Sequence, residues 1–192
     1  MSCSVRRADG MRLSVVIRTL HAARHLPDLL KSIGEHEFGA HTCEMVLVDS
    51  GSTDGTAQIA ESHHCNIFRI SKADFSFGCS LNVGCAAAAG DALVFVSGHC
   101  IPYDRHWLAR LVEPLQQPDI AFSYGRQIGG ETSHFSEPQI FAKYFPSESR
   151  IPQDGFYCNN ANSASLRSDW EALKFDEELT GLEDVDIAKA RT

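Results

Sequence analysis

The chain has 192 residues, 43 % hydrophobic and 22 % charged, which suits one globular domain with a sizeable core. A formal net charge of −8 argues against general nucleic-acid binding, where a basic face is expected, yet allows a local cationic pocket for one diphosphate. No run is long enough to span a membrane: the longest apolar stretch, Cys85 to Val96, is broken by Gly90 and Asp91. The N-terminus, with Arg6, Arg7 and Asp9, lacks the apolar stretch of a signal peptide. The seven cysteines form no C-x-x-C pair and leave one over, a pattern of reduced thiols in a cytoplasmic protein rather than of disulfides or a zinc site.

Residues 1–12 read as a tail, and the predicted elements begin at Leu13. Leu13–Ile17 is a buried strand; Leu26, Leu29, Leu30 and Ile33 then recur at helical spacing up to a stop at Gly34. Glu44–Asp49 is the second strand, followed by a helix over Asp54–His63. Asn66–Ile70 is the third strand, Gly78–Ala89 a helix of small residues, and Ala92–Val96 a fourth strand, apolar throughout. Uninterrupted apolar strands alternating with helices predict an α/β fold with a parallel sheet covered on both faces. A helix over Asp104–Gln116 and a strand over Ile120–Gly125 follow. From Gln127 to Phe156 the chain lacks clean periodicity, and long irregular segments in compact domains are more often functional than decorative.

Five stretches carry the chemistry. Asp49 ends the second strand and opens the loop Gly51-Ser52-Thr53-Asp54-Gly55-Thr56. Ligands of open α/β sheets bind at the carboxyl ends of strands, and an unpaired buried carboxylate is too costly to serve packing. Asp49 therefore reads as a partner for a ribose or for the imide N–H of a base, while Ser52 or Thr53 caps the next helix. Asn82, in Asn82-Val83-Gly84-Cys85, is a poor helix former and a good partner for a base or phosphate; the alanines that follow need only close packing. His99, in Ser97-Gly98-His99-Cys100, sits at a strand end where a neutral imidazole can bind a divalent cation, although a lone histidine is more often structural. Glu183 and Asp184 open a helix whose dipole favours acids there, and an acid kept ionised is also a serviceable general base. Asn159, Asn160 and Asn162 are either turn residues or a hydrogen-bonding wall for a sugar. His21 and His25, four apart, and the pair His63-His64 read as exposed surface.

In this order the motifs resemble the inverting family-2 glycosyltransferases of GT-A fold, in particular their bacterial rhamnosyltransferase-like branch. Ser14–Thr19 matches the opening strand, Asp49–Thr56 the V-D-x-G-S-T-D-G-T pattern, Asn82–Gly90 the N-x-G-x-x-x-A-x-G pattern and Gly181–Asp184 the closing x-E-D. The resemblance implies one GT-A domain over residues 13–192, with a Rossmann-like, mostly parallel sheet flanked by helices. It implies a nucleotide-sugar donor held by Asp49 and Ser52 with Arg18, Thr19, Asn82 and Asn160. Asp184 would be the general base and Glu183 would line the acceptor side, where a glycan or lipid-linked acceptor is served in cell-surface polysaccharide assembly. Peripheral association with the inner face of the membrane goes with such an acceptor.

Two departures stand out. Where the family carries D-x-D to hold Mg²⁺ or Mn²⁺, this chain has Ser97-Gly98-His99; His99 can stand for the last acid, whereas the neutral Ser97 is a weaker ligand. Arg126 is then expected to take up part of the diphosphate charge, its plain alternative being a surface ion pair. The sequence also ends at Thr192, where family members run on past x-E-D, which suggests a fragment or a shortened protein. A catalytically inactive relative that binds nucleotide or a partner is the rival reading. A nucleotidyltransferase is disfavoured, because no Gly-rich, Lys/Arg-bearing loop follows the first strand.

Overall fold

A computed structural model describes residues 10–129 and 137–190. In chain order the elements are β1 (Arg12–Thr19), α1 (Leu26–Gly34), β2 (Thr42–Asp49), α2 (Thr56–Ser62), β3 (Asn66–Arg69), α3 (Phe77–Ala87) and β4 (Ala92–Ser97). There follow α4 (Trp107–Val112), extended by a 3₁₀ turn over Glu113–Gln116, then β5 (Phe122–Tyr124), α5 (Glu137–Tyr144), β6 (Asn162–Leu166), α6 (Arg167–Ala172) and α7 (Glu183–Lys189). The six strands form one sheet in the order β3-β2-β1-β4-β6-β5. β1 to β4 are mutually parallel, as the apolar runs predict, and β6 joins antiparallel to both β4 and β5. Among the described residues no helix is long and apolar enough to cross a membrane.

The pleat sorts the core into two layers, because alternate residues of a strand face opposite sides. Leu13, Val15 and Ile17 of β1 pack with Leu26, Leu29, Leu30 and Ile33 of α1 and with Leu108 and Val112 of α4. Val16 faces the other way and joins Leu81 and Cys85 of α3, Trp170 of α6 and Ile187 of α7. The crossovers to β2 and β3 thus lie on one face and the crossover to β4 on the other. β1 is the strand at which the winding reverses, and the crevice at its carboxyl end is where such sheets take ligands.

Gly84 explains the small-residue helix. A Cβ on Gly84 would lie 2.4 Å from Val16 Cγ1 and 3.1 Å from Val48 Cγ2, so the α3 backbone rests almost directly on β1 and β2. The carboxyl end of α3 is tied down by Arg167, which donates from Nε to the Gly90 carbonyl at 2.8 Å, from Nη1 to Cys85 O at 3.2 Å and from Nη2 to Ala88 O. A cation over those last carbonyls also suits the helix dipole.

Three expectations change. The stretch from 127 to 156 contains α5, and residues 130–136 of it lie outside the described residues. Of the asparagine-rich stretch, Asn159 and Asn160 form a turn, with Ala161 N donating to Asn159 Oδ1 at 2.9 Å, while Asn162 opens β6; Ser163 and Ser165 are fully buried beside Ala164, an inner strand written in small residues. The long helix over 104–116 is broken into α4 and a 3₁₀ turn at Pro114, whose ring cannot continue an α-helix from inside it. The six described cysteines are all free thiols, and burial pushes Cys43 and Cys158 up to about 12.

Gly84→Ala tests the packing of α3. The added methyl is expected to cost about 1–3 kcal/mol through overpacking against Val16, read as a lower urea midpoint with an unchanged m-value.

Candidate active site

The crevice at the carboxyl end of β1 is organised around Asp49, which is 2 % exposed. Its Oδ1 accepts from Thr19 Oγ1 at 3.2 Å and from the Ser52 hydroxyl; its Oδ2 accepts from the backbone N–H groups of Gly51 at 3.3 Å and Ser52 at 3.0 Å. The carboxylate that the sequence presents as unpaired therefore has four donors of its own. Ser52 Oγ in turn accepts from His21 N at 2.8 Å, linking the loop after β2 to the loop after β1. Asp54 and Thr56 add to this seam: Thr56 Oγ1 donates to Asp54 at 2.6 Å and accepts from Ala22 N at 2.9 Å, and Asp54 also accepts from Ala23 N. The Thr56 hydroxyl first, then the backbone N–H groups of Ala23, Thr56 and Asp54 itself, hold the Asp54 carboxyl below its usual range. Ser52 and Thr53 make no side-chain cap on α2, whose N-cap is Gly55 at φ 94°, a left-handed conformation that glycine adopts without strain.

On the other side of β1 the 97–99 turn comes very close. Gly98 N donates to Arg18 O at 3.0 Å, and a Cβ on Gly98 would fall 2.7 Å from Thr19 Cγ2. His99 stands exposed beyond it. Partial burial first, then His25 and Arg18, push its imidazole below the usual pKa and keep it neutral at pH 7.

The third wall is the start of α7. Leu182, its N-cap, has φ 64°, a left-handed backbone that costs a branched side chain energy and occurs preferentially at functional sites. Asp184 accepts from Asn160 N at 3.2 Å and from Val185 N at 2.8 Å. Glu183, 5 % exposed, lies 3.6 Å from Arg18 Nη1. Burial pushes the Glu183 carboxyl up, opposed by its own backbone N–H and by Arg18. Burial likewise pushes the Arg18 guanidinium down, opposed by Glu183 and then Asp184. The guanidinium also lies over the Phe77 ring, 5.2 Å from its centroid. Asn160 is 1 % exposed, and its Oδ1 accepts from Ser163 Oγ at 2.9 Å.

Thus Arg18, Thr19, Asp49, Ser52, His99, Asn160, Glu183 and Asp184 all sit around the carboxyl ends of β1, β2 and β4. Two of the expected site residues have other occupations. Asn82 donates from Nδ2 to Phe175 O and Glu177 Oε1, at 2.9 and 2.8 Å, and its Oδ1 accepts from Trp170 Nε1 and Phe175 N, at 2.9 and 3.2 Å. Every hydrogen-bonding position of the amide is used inside the chain, which makes Asn82 a tie between α3 and the segment that leads to α7. Arg126 follows β5, separated from β4 by β6, and is exposed beside a cavity of about 150 Å³ lined by Gln127, Ile128, Phe141 and Phe145. Arg167 and Trp170, which hold α3 and Asn82, are residues that sequence reasoning did not single out.

The family model described as "Glycosyl transferase family 2" matches residues 14–171, which include the Asp49 loop and the α3 motif. The chain belongs to glycosyl transferase family 2. This family-2 chain is 29 % identical over 154 residues to the O-antigen chain rhamnosyltransferase WbaN of Salmonella anatum, covering 72 % of this chain and 48 % of that one. It superposes with a TM-score of 0.74 at 20 % identity on the mannosyltransferase PcManGT of Pyrobaculum calidifontis, solved with GDP-Man and Mn²⁺, covering 96 % of this chain and 52 % of that one. TarS of Staphylococcus aureus, solved with UDP-GlcNAc, gives a TM-score of 0.71 at 20 % identity and 94 % and 54 % coverage. The chain spans about half the length of these proteins, and likenesses at this identity show a shared GT-A fold.

The donor set at 97–99 does not amount to a metal cage. Among the described residues no group of three His, Cys, Asp or Glu side chains is placed to hold an ion. His99 would be the protein's ligand to the Mg²⁺ or Mn²⁺ expected from the resemblance, but the charge beside it is that of the Arg18 guanidinium, positive rather than negative. The residues present do not fit the acid-bound ion of the D-x-D pattern.

Asp49→Asn removes the charge and turns one of its two acceptor oxygens into an amide donor, facing either the N–H groups of Gly51 and Ser52 or the hydroxyls of Thr19 and Ser52. Stability is expected to fall by about 1–3 kcal/mol, the cost of unmatched buried polar groups, measured by urea or thermal unfolding without any ligand.

Proposed function

We propose that this family-2 chain carries the donor-binding and base-bearing part of an inverting glycosyltransferase, moving a sugar from a nucleotide sugar to a glycan or lipid-linked acceptor. The observation that carries this reading is that Asp184, far along the chain, lies at the same sheet end as Asp49, tied to it through the Asn160–Ser163 segment and β6. A donor whose base and ribose rest against the Thr19–Asp49–Ser52 seam has its diphosphate directed toward Arg18 and the 97–99 turn. Its anomeric carbon then faces the start of α7.

In the proposed step an acceptor hydroxyl oxygen bonds to the anomeric carbon as the bond from that carbon to the β-phosphate oxygen breaks. The electron pair departs with the nucleoside diphosphate, and the hydroxyl proton passes to Asp184. The backbone N–H groups of Asn160 and Val185 hold the Asp184 carboxylate in one orientation, as taking the proton from an in-line attacking hydroxyl requires. Glu183 borders the acceptor side. The likeness to an O-antigen chain rhamnosyltransferase supports a role in polysaccharide assembly, and peripheral action at the membrane face goes with a lipid-linked acceptor.

The rival reading, a nucleotide-binding module without turnover, draws its support from the missing acids at 97–99. Asp184→Asn separates the two. Release of nucleoside diphosphate from a panel of UDP-, GDP- and dTDP-sugars is expected to fall by about 10²–10⁴-fold, while diphosphate affinity by calorimetry stays within a factor of about two. Binding without turnover in the unmodified protein, with a full acceptor panel, favours the rival.

A further inference from the structure

We propose that Arg18 is the residue that grips the donor diphosphate, in the place where the D-x-D pattern would put an acid-bound metal ion. The proposal rests on the donor-binding reading above and goes further by naming the group that meets the phosphates.

The first observation is register. Arg18 is the β1 partner of Ser97 on β4, so the guanidinium's strand lies directly beside the residue that stands for the first acid. An acid at 97 would offer it a counter-charge; serine does not. The second observation is an excess of donors. At this end of the sheet, among the described residues, Arg18 Nε and Nη1 are buried without a hydrogen-bond partner, whereas the Asn160 amide lies within reach of the Glu183 carboxylate. Both are N–H donors, and among the described residues no buried side-chain acceptor at this end lacks a partner. Glu183 Oε1, at 3.6 Å, is near enough to attract Arg18 but too far for a hydrogen bond.

That imbalance defines the ligand. A base or sugar hydroxyl brings donors as well as acceptors, whereas a phosphate at neutral pH brings acceptor oxygens and negative charge alone. The planar fork of a guanidinium matches phosphate oxygens in pairs, and Arg18 is held in place by the Phe77 ring beneath it. A fixed cation in a partly dry crevice is also well placed to stabilise the charge that grows on the leaving diphosphate. Arg126, exposed after the edge strand β5, lacks this setting.

The test is calorimetric titration of the whole chain with UDP, GDP and dTDP, in EDTA and in Mn²⁺, alongside the matching nucleoside followed by NMR. Arg18→Gln is expected to weaken the diphosphate that binds by at least about tenfold, the loss of one charge-assisted hydrogen bond, with nucleoside affinity unchanged and diphosphate binding by the unmodified chain surviving EDTA. Arg18→Lys, which keeps the charge and loses the fork, is expected to fall between. If Arg18→Gln does not fold by circular dichroism, Arg18→Lys carries the test alone. Diphosphate affinity indifferent to Arg18, or abolished by EDTA, overturns the proposal and leaves the donor reading standing. An unmodified chain that binds neither diphosphate nor nucleoside overturns both.

Discussion

The buried carboxylate of Asp49 is the interaction on which the ligand end of this sheet depends. It accepts from a side chain of β1, a side chain of its own loop and two backbone N–H groups, so both loops beside the crevice take their shape from one charge. A buried anion is tolerated only when its hydrogen bonds are complete. Here that requirement selects the Gly51-Ser52 turn, the Thr19 hydroxyl and, through Ser52, the path of the chain at His21. A pattern that in sequence suggests ligand contact is thus first a device for shaping the loops that meet the ligand. The two roles are compatible, because the seam Asp49 holds together is the floor of the crevice.

Asn82 shows the same logic at longer range. By bonding to Trp170, Phe175 and Glu177 it anchors the segment that precedes α7, and α7 carries Glu183 and Asp184. Gly84 lets the helix that bears Asn82 sit close against β1 and β2, and Arg167 fixes the other end of that helix. The middle motif of the chain therefore serves the last one. Its contribution to chemistry runs through placement, over a separation of about a hundred residues.

The electrostatics of the crevice differ from those of the molecule. Against an overall charge of −8, the crevice gathers a guanidinium with unpartnered N–H donors and two acids that face it from α7. Arg18 and Glu183 are both shifted by burial toward their neutral forms and both pulled back by each other. A pair held slightly too far apart to hydrogen-bond keeps its charges available to a third party. That is a suitable state for a site that takes an anion on one side and a hydroxyl on the other.

The apolar runs by themselves determined β1, β4 and the buried half of β2, because burial on both faces demands continuous hydrophobicity, and the spacing of Leu26, Leu29, Leu30 and Ile33 determined α1. The motif order singled out Asp49 and the Glu183-Asp184 pair, which the fold brings to the same end of the sheet. Only the tertiary structure decided what completes the site. β6 escaped notice because Ser163, Ala164 and Ser165 lack the branched or aromatic side chains of a typical strand and are buried by their neighbours' bulk instead of their own. Asn82 and Arg18 exchanged emphasis for a related reason: whether a polar side chain is spent inside the protein or left open to a ligand depends on partners distant in sequence. Periodicity reports which face a residue occupies, and only the fold reports which donors and acceptors meet there.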